Sequence, residues 1–292
     1  MPDADALFAE AAARLQADDL AAARELFGRA GAAGRRDAAV IHCNLVAAIG
    51  DWRRGLDLLR ALAPADRRCR RQLDIVAAMR LAADGSPLAV PEGERVSTSP
   101  LVTLFRTLFT EAECRYLIEA ATPMLEPSVV VDRRTGRQLR DPVRTSDGVG
   151  FTRPLENPAV HALGRRIAAA SGTSVDQGEP LQVLRYRPGQ EYRPHLDAIP
   201  GFANQRIMTM LVWLNDDYDG GETLFLKTGL RLKGGIGDAV LFRNVGEDGR
   251  RDEASAHAGL PVTRGEKLIA SRWIRARRFA PAADAAAGAA PG

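Results

Sequence analysis

The stretch LQVLRYRPGQEYRPHLD, Leu181–Asp197, decides how the chain is read. Leu181–Tyr186 is a short apolar run with β-branched and aromatic content, closed by Arg187-Pro188-Gly189. A second run, Tyr192–Leu196, follows at once and carries His195, with Asp197 two residues on. On a strand, residues two apart project from one face, so this imidazole and carboxylate can converge on one point. The same texture continues through Ile207–Leu214, Thr223–Leu226, Leu230–Leu232, Ala239–Arg243, Ala256–Val262 and Leu268–Ile274. Eight short strands separated by Gly, Pro or Asp predict a sandwich or jelly roll from about residue 179 to 276.

A bare His-x-Asp arises by chance in many chains, and a surface pair is its bland reading. His257, 60 residues beyond Asp197, could add a third ligand from another strand. Two histidines and one carboxylate form the facial triad of non-haem Fe(II) oxygenases, which leaves open positions for co-substrate and oxygen. Lys267 lies ten residues after His257, on a strand whose alternation groups Lys267, Ile269, Ser271 and Trp273 on one face. An inward lysine among apolar neighbours is costly without an anionic partner. The distal carboxylate of a bound keto-acid would supply one; a lysine snorkelling from the strand end is the alternative.

Six further blocks accompany these residues in order: YRPGQEY (186–192), RIMT (206–209), LND (214–216), GGET (220–223), GDAVLF (237–242), and HAGLPV with GEK (257–262, 265–267). With them, residues 181–275 resemble the Fe(II)/2-oxoglutarate dioxygenases of the prolyl 4-hydroxylase branch. Upstream, Phe109–Ile118, Arg144-Thr145-Ser146 and a helix over 158–172 look like that family's helical support, extending the resemblance over roughly 100–278. The resemblance implies His195, Asp197 and His257 as catalytic iron ligands. It implies Lys267 as the ion-pair partner of 2-oxoglutarate, with Tyr186 and Thr223 hydrogen-bonding near it. Tyr192, Arg206 and Trp273 match positions lining the substrate groove. The implied reaction hydroxylates a C–H bond, a peptidyl proline above all, with O2 consumed and succinate and CO2 released; ascorbate is a candidate accessory. Three departures stand out: a short loop between Asp197 and Arg206, Leu260 where the family often has cysteine, and Leu268 where it often has tryptophan.

Residues 1–83 read differently, rich in Ala, Leu and Arg with helical periodicity. At an offset of 32, Asp19-Leu20 aligns with Asp51-Trp52, Ala23 with Gly55, Leu26-Phe27 with Leu58-Leu59, and Arg35-Arg36 with Arg67-Arg68. The period is near that of tetratricopeptide units, and the segment resembles that class without its full consensus; an Ala-rich bundle is the alternative. Two units are fewer than the ~3 an independent solenoid needs, so the arm should lean on the rest of the chain. Residues 84–100 read as a linker, 101–278 as the oxygenase unit, and 280–292 as a disordered tail. The fold class expected is therefore α+β. Thr110 with Glu113 spells a capping box for a helix through Ala121.

Composition narrows the function classes. Forty Lys+Arg against 37 Asp+Glu give a net charge of +3, too little to bind nucleic acid by net field. No run approaches the ~20 apolar residues of a membrane span, and the acidic start lacks a signal-peptide pattern. Three scattered cysteines, with no CxxC, argue against a disulfide framework and for a reducing compartment, hence the cytoplasm. Rival readings are a hydroxylase of a free amino acid or small molecule, and an inactive repeat-domain binding protein. A nucleic-acid demethylase, suggested by the Arg272/Arg278 spacing, fits poorly because Arg272 alternates away from Lys267. A cupin-type metal enzyme has no use for Lys267. The arginines from 272 to 278 read as a solvated strand end.

Overall fold

Aspartates open the helices of the N-terminal arm. In a computed structural model, which describes residues 3–131, 138–140 and 143–281, Asp3, Asp19, Asp51 and Asp66 cap α1 (Ala4–Gln16), α2 (Leu20–Ala32), α4 (Trp52–Leu62) and α5 (Arg67–Ala78). Each carboxylate accepts a backbone N–H of the first turn, groups with no partner inside the helix. Only α3 (Arg36–Ala48) lacks such a cap. The pairs α2–α3 and α4–α5 begin close to 32 residues apart, as the internal comparison anticipates. Small residues permit the close packing: a Cβ on Gly55 would come within 2.6 Å of Ala47.

Two further helices, α6 (Glu111–Ala121) and α7 (Pro158–Ser171), stand between the arm and the sheets. The capping box of α6 is present, with Thr110 and Glu113 each accepting the other's backbone N–H. The strands, in chain order, begin with β1 (Gly93–Thr98), β2 (Leu101–Phe105), β3 (Glu126–Pro127), β4 (Val129–Val131), β5 (Gln138–Arg140) and β6 (Asp147–Phe151). Then come β7 (Leu181–Tyr186), β8 (Tyr192–His195), β9 (Arg206–Trp213), β10 (Asp219–Gly220) and β11 (Thr223–Phe225). The last are β12 (Arg231–Leu232), β13 (Ala239–Arg243), β14 (His257–Gly259), β15 (Val262–Arg264) and β16 (Lys267–Arg275).

An eight-stranded sheet runs β1-β2-β13-β9-β16-β7-β6-β3, and a four-stranded sheet runs β12-β11-β14-β8. The named pairings are all antiparallel, and the strand order crosses over repeatedly, as a jelly roll requires. Parity along the strands of the large sheet divides two cores. Val183, Met210, Val212, Leu268, Ala270 and Ile274 face the helices. Leu184, Tyr186, Trp213, Val240, Phe242 and Ile269 face inward, toward the small sheet. The helix-side core also takes in Ala47, Trp52, Ile75, Val76 and Met79, so the arm shares a core with the sheet, as two short repeats would need.

Three expectations change. Residues 84–100 include β1, an edge strand of the large sheet; its mostly exposed residues gave no alternating pattern to read. The single strand expected over 256–262 is two, because Pro261 has no N–H for a ladder and the Leu260 N–H turns to the Glu222 carbonyl. The arginines of β16 are not a solvated end: Arg272 and Arg275 are 5% and 4% exposed. Arg272 donates to the carbonyls of Glu179 and Val175, and Gly164 and Gly178 leave the room it occupies. The tail beyond Pro281 lies outside the described residues.

Candidate active site

β8 and β14 lie side by side in the small sheet with His195 directly opposite His257. Asp197 follows β8 at the point where the chain turns toward β9. One ligand atom from each of the three lies within 4.8 Å of the others. His195 Nε2 is 3.6 Å from Asp197 Oδ1, and His257 Nε2 is 3.8 Å from Asp197 Oδ2. Those gaps are too long for hydrogen bonds and suit an ion shared among the three.

Both rings are oriented from behind. His195 Nδ1 meets the Arg193 carbonyl at 2.8 Å and His257 Nδ1 the Ser255 carbonyl at 2.9 Å. A carbonyl only accepts, so each Nδ1 carries a proton and each ring turns its Nε2 toward the centre. His195 Nε2 is buried with no hydrogen-bond partner among the described protein atoms. Burial, with the His257 ring beside it, holds the His195 imidazole down to about 4, against the pull of Asp197. Burial pushes the Asp197 carboxyl up, but His257, His195 and the Thr209 hydroxyl outweigh it and hold the group below the usual carboxylate range. At neutral pH the centre therefore offers a neutral imidazole from His195 and an ionised carboxylate. Two imidazoles and one carboxylate, with an orphaned nitrogen aimed inward, fit Fe(II).

The cleft over this centre is lined by both sheets. Lys267, Ile269, Ser271 and Trp273 from β16 face it, together with Tyr186, Tyr192, Thr209 and Thr223. Lys267 is 4% exposed, donates to the Gly221 carbonyl at 2.7 Å, and sits 5.5 Å from the centre of the Tyr186 ring. Gly221 allows this approach: its φ is +68°, and a Cβ would come within 3.1 Å of the lysine stem. Burial pushes the Lys267 ammonium down to about 8, with Lys233 adding to the fall and Glu222 opposing it. Tyr192 stacks on His195 with ring centres 3.5 Å apart.

Arg206 is the exception among the expected residues. It is absent from the cleft lining and lies instead 3.6 Å over the Trp273 ring, with both Glu179 oxygens holding its guanidinium at 2.6 and 2.9 Å. Arg275 shares Glu179 at 2.6 Å. The short loop after Asp197 is closed by Gln205, whose side-chain amide bonds both the N–H and the carbonyl of Ile199. Sequence reasoning places Arg144 in the helical support rather than at the site. It does not belong to a helical support but forms a bridge with Tyr192 and lines the cleft. It also gave no role to Thr209 or Asn244, whose hydrogen bonds lead to Asp197.

Residues 181–275 match the 2OG-Fe(II) oxygenase superfamily. Prolyl 4-hydroxylase 1 of Arabidopsis thaliana is 39% identical over 201 residues, which span 62% of this chain and 71% of that protein. The chain belongs to the prolyl 4-hydroxylase family of 2OG-Fe(II) oxygenases. Prolyl 4-hydroxylase 5 of the same plant is 33% identical over 247 residues, 75% of this chain and 84% of the relative. Among solved structures, the viral collagen prolyl hydroxylase of Paramecium Bursaria Chlorella virus-1, in its 2OG complex, aligns with a TM-score of 0.48 and 27% identity, covering 60% of this chain and 96% of that one. As a family member the protein is an oxidoreductase, a dioxygenase dependent on Fe(II) and 2-oxoglutarate. No helix among the described residues is long and apolar enough to cross a membrane.

Proposed function

We propose that the protein hydroxylates a prolyl residue of a peptide or protein, with conversion of 2-oxoglutarate to succinate and CO2. The observation that carries this reading is Lys267: a buried ammonium facing the cleft over His195, Asp197 and His257, donating among the described residues to the Gly221 carbonyl. A dicarboxylate reaching from the metal centre to Lys267 supplies the missing anion.

In this reading His195 Nε2, His257 Nε2 and an Asp197 oxygen hold Fe(II). Lys267 anchors the distal carboxylate of 2-oxoglutarate, with the hydroxyls of Tyr186 and Thr223 beside it. When bound, Fe(II) with 2-oxoglutarate and O2 supplies the oxidising power that places one oxygen atom on an unactivated C–H bond. The protein's part is orientation and exclusion of water. Apolar Leu184, Leu211 and Ile269 keep the cleft dry, and Tyr192 and Trp273 form an aromatic wall for an apolar ring and extended backbone. Arg206 acts on the substrate through Trp273, which it holds flat. The substrate class follows the named activity of the Arabidopsis relatives.

The same reading assigns residues 4–78 to a tetratricopeptide-like arm presenting protein substrates, and starts the oxygenase unit at β1. It places the protein in the cytoplasm, where the buried thiols of Cys43, Cys69 and Cys114 stay reduced, with ascorbate as accessory reductant. Incubation with Fe(II), 2-oxoglutarate, ascorbate and proline-containing peptides, followed by mass mapping of products, tests the substrate. A gain of one oxygen on proline, lost with His257→Ala, is the expected result. Oxygen appearing only on other residues or on free metabolites rejects the prolyl assignment.

A further inference from the structure

We infer that Thr209 and Asn244 are positioning residues that keep Asp197 bound to the metal through one carboxylate oxygen only. The inference rests on the reading of His195, Asp197 and His257 as ligands. Thr209 Oγ1 donates to Asp197 Oδ2 at 2.6 Å, and Asn244 Nδ2 donates to the same Oγ1 at 2.9 Å. All three side chains are buried, Asn244 completely. The direction of the chain is dictated by proton inventory. An ionised carboxylate only accepts, and a hydroxyl has one proton, so Thr209 must give that proton to Asp197 and take Asn244's. Turning the Asn244 amide over would set oxygen against oxygen with no proton between them.

In the orientation adopted, Asn244 Oδ1 is buried with no hydrogen-bond partner among the described protein atoms. An unpaired carbonyl in the core lowers stability. It is explicable as the by-product of aiming the amide N–H at Thr209. The asparagine backbone is pinned as well: its N–H donates to the Ile207 carbonyl, and its own carbonyl accepts from Asp252. The Asp252 carbonyl accepts the Ser255 hydroxyl, and the Ser255 carbonyl accepts His257 Nδ1. One hydrogen-bonded path thus runs from Asp197 through Thr209 and Asn244 to His257.

The consequence concerns coordination number. Six positions less three protein ligands leave three, two for the keto and carboxylate oxygens of 2-oxoglutarate and one for O2. A carboxylate binding through both oxygens would occupy one of these. With Oδ2 accepting the Thr209 hydroxyl, Oδ1 would be the oxygen left to hold the ion, and the third position would stay open.

The test is Co(II) titration of metal-free protein by visible absorption, followed by 2-oxoglutarate titration of the Co(II) form. Thr209→Val should weaken Co(II) binding by roughly 10–100-fold and also weaken 2-oxoglutarate binding, whereas Thr209→Ser should keep both. Asn244→Leu removes the donor together with the orphaned carbonyl. Its metal-free form should resist urea at least as well as wild type while its Co(II) affinity falls, a pairing that a merely structural role would not give. Wild-type Co(II) and 2-oxoglutarate affinities in Thr209→Val and Asn244→Leu overturn the inference. Asp197→Ala separates the two readings. If it binds Co(II) as wild type does, the ligand assignment fails; if it loses Co(II) while Thr209→Val keeps it, only the positioning role fails.

Discussion

At the scale of single residues, Lys267 shows how burial turns a common side chain into a specific one. Its pKa near 8 in the fold, against 10.5 as the ordinary value, gives two opposite pH dependences. Between pH 8 and 10.5 the unfolded chain binds more protons than the folded one, so the metal-free protein should become more stable to urea as pH rises through that window. Binding of 2-oxoglutarate needs the ammonium. Its affinity should be level below pH 8 and fall about tenfold per unit above it. Lys267→Met should abolish both trends and weaken 2-oxoglutarate binding by about 1.5–3 kcal/mol, with Co(II) affinity unchanged. Calorimetric titration across pH 6.5–9.5 measures this; a level affinity in wild type would refute it. That His195 and Asp197 converge and that Lys267 faces the cleft was legible because each reading rests on a short spacing along the chain. Thr209 and Asn244 were not, since Thr209 meets Asp197 from a strand 12 residues on and Asn244 reaches Thr209 from a further 35 residues along the chain.

At the scale of elements, strand parity did most of the sorting and loops did least. The face of β16 read from the sequence is the face that lines the cleft, and the capping box of α6 is formed as written. Glu179 was invisible. Between Gly178 and Pro180 it reads as a loop acid, yet it is 6% exposed and holds Arg206 and Arg275 from two neighbouring strands. The arginines of β16 misread as solvated for the same reason: their partners lie on distant segments. Removing one member of a buried ion group leaves charge without compensation, so Glu179→Ala should lower stability by about 3–5 kcal/mol. It should also release Arg206 from Trp273 and raise KM for a peptide substrate. Urea unfolding checks the first effect; a change below 1 kcal/mol would show that the clamp is not structural.

At the scale of the whole molecule, the arm and the oxygenase sheets are joined by a shared core. Trp52 of α4 packs beside His161 of α7, and Asn44 donates to the Pro154 carbonyl at 2.8 Å. The 32-residue self-comparison suggested a repeat but could not show what the arm leans on, because the contact joins segments 110 residues apart. Trp52→Ala should cost about 3–5 kcal/mol, and far-UV and near-UV signals should unfold in one coincident transition; two separated transitions would mean independent units. The central claim is that this fold brings His195, Asp197, His257 and Lys267 together as a 2-oxoglutarate-dependent dioxygenase. Succinate release under O2, with Fe(II) and 2-oxoglutarate, tests it most directly in wild type, His257→Ala and Lys267→Met. Fe(II)-dependent succinate is expected from wild type, none from His257→Ala, and recovery of Lys267→Met only at high 2-oxoglutarate. Succinate released by His257→Ala at the wild-type rate would contradict it.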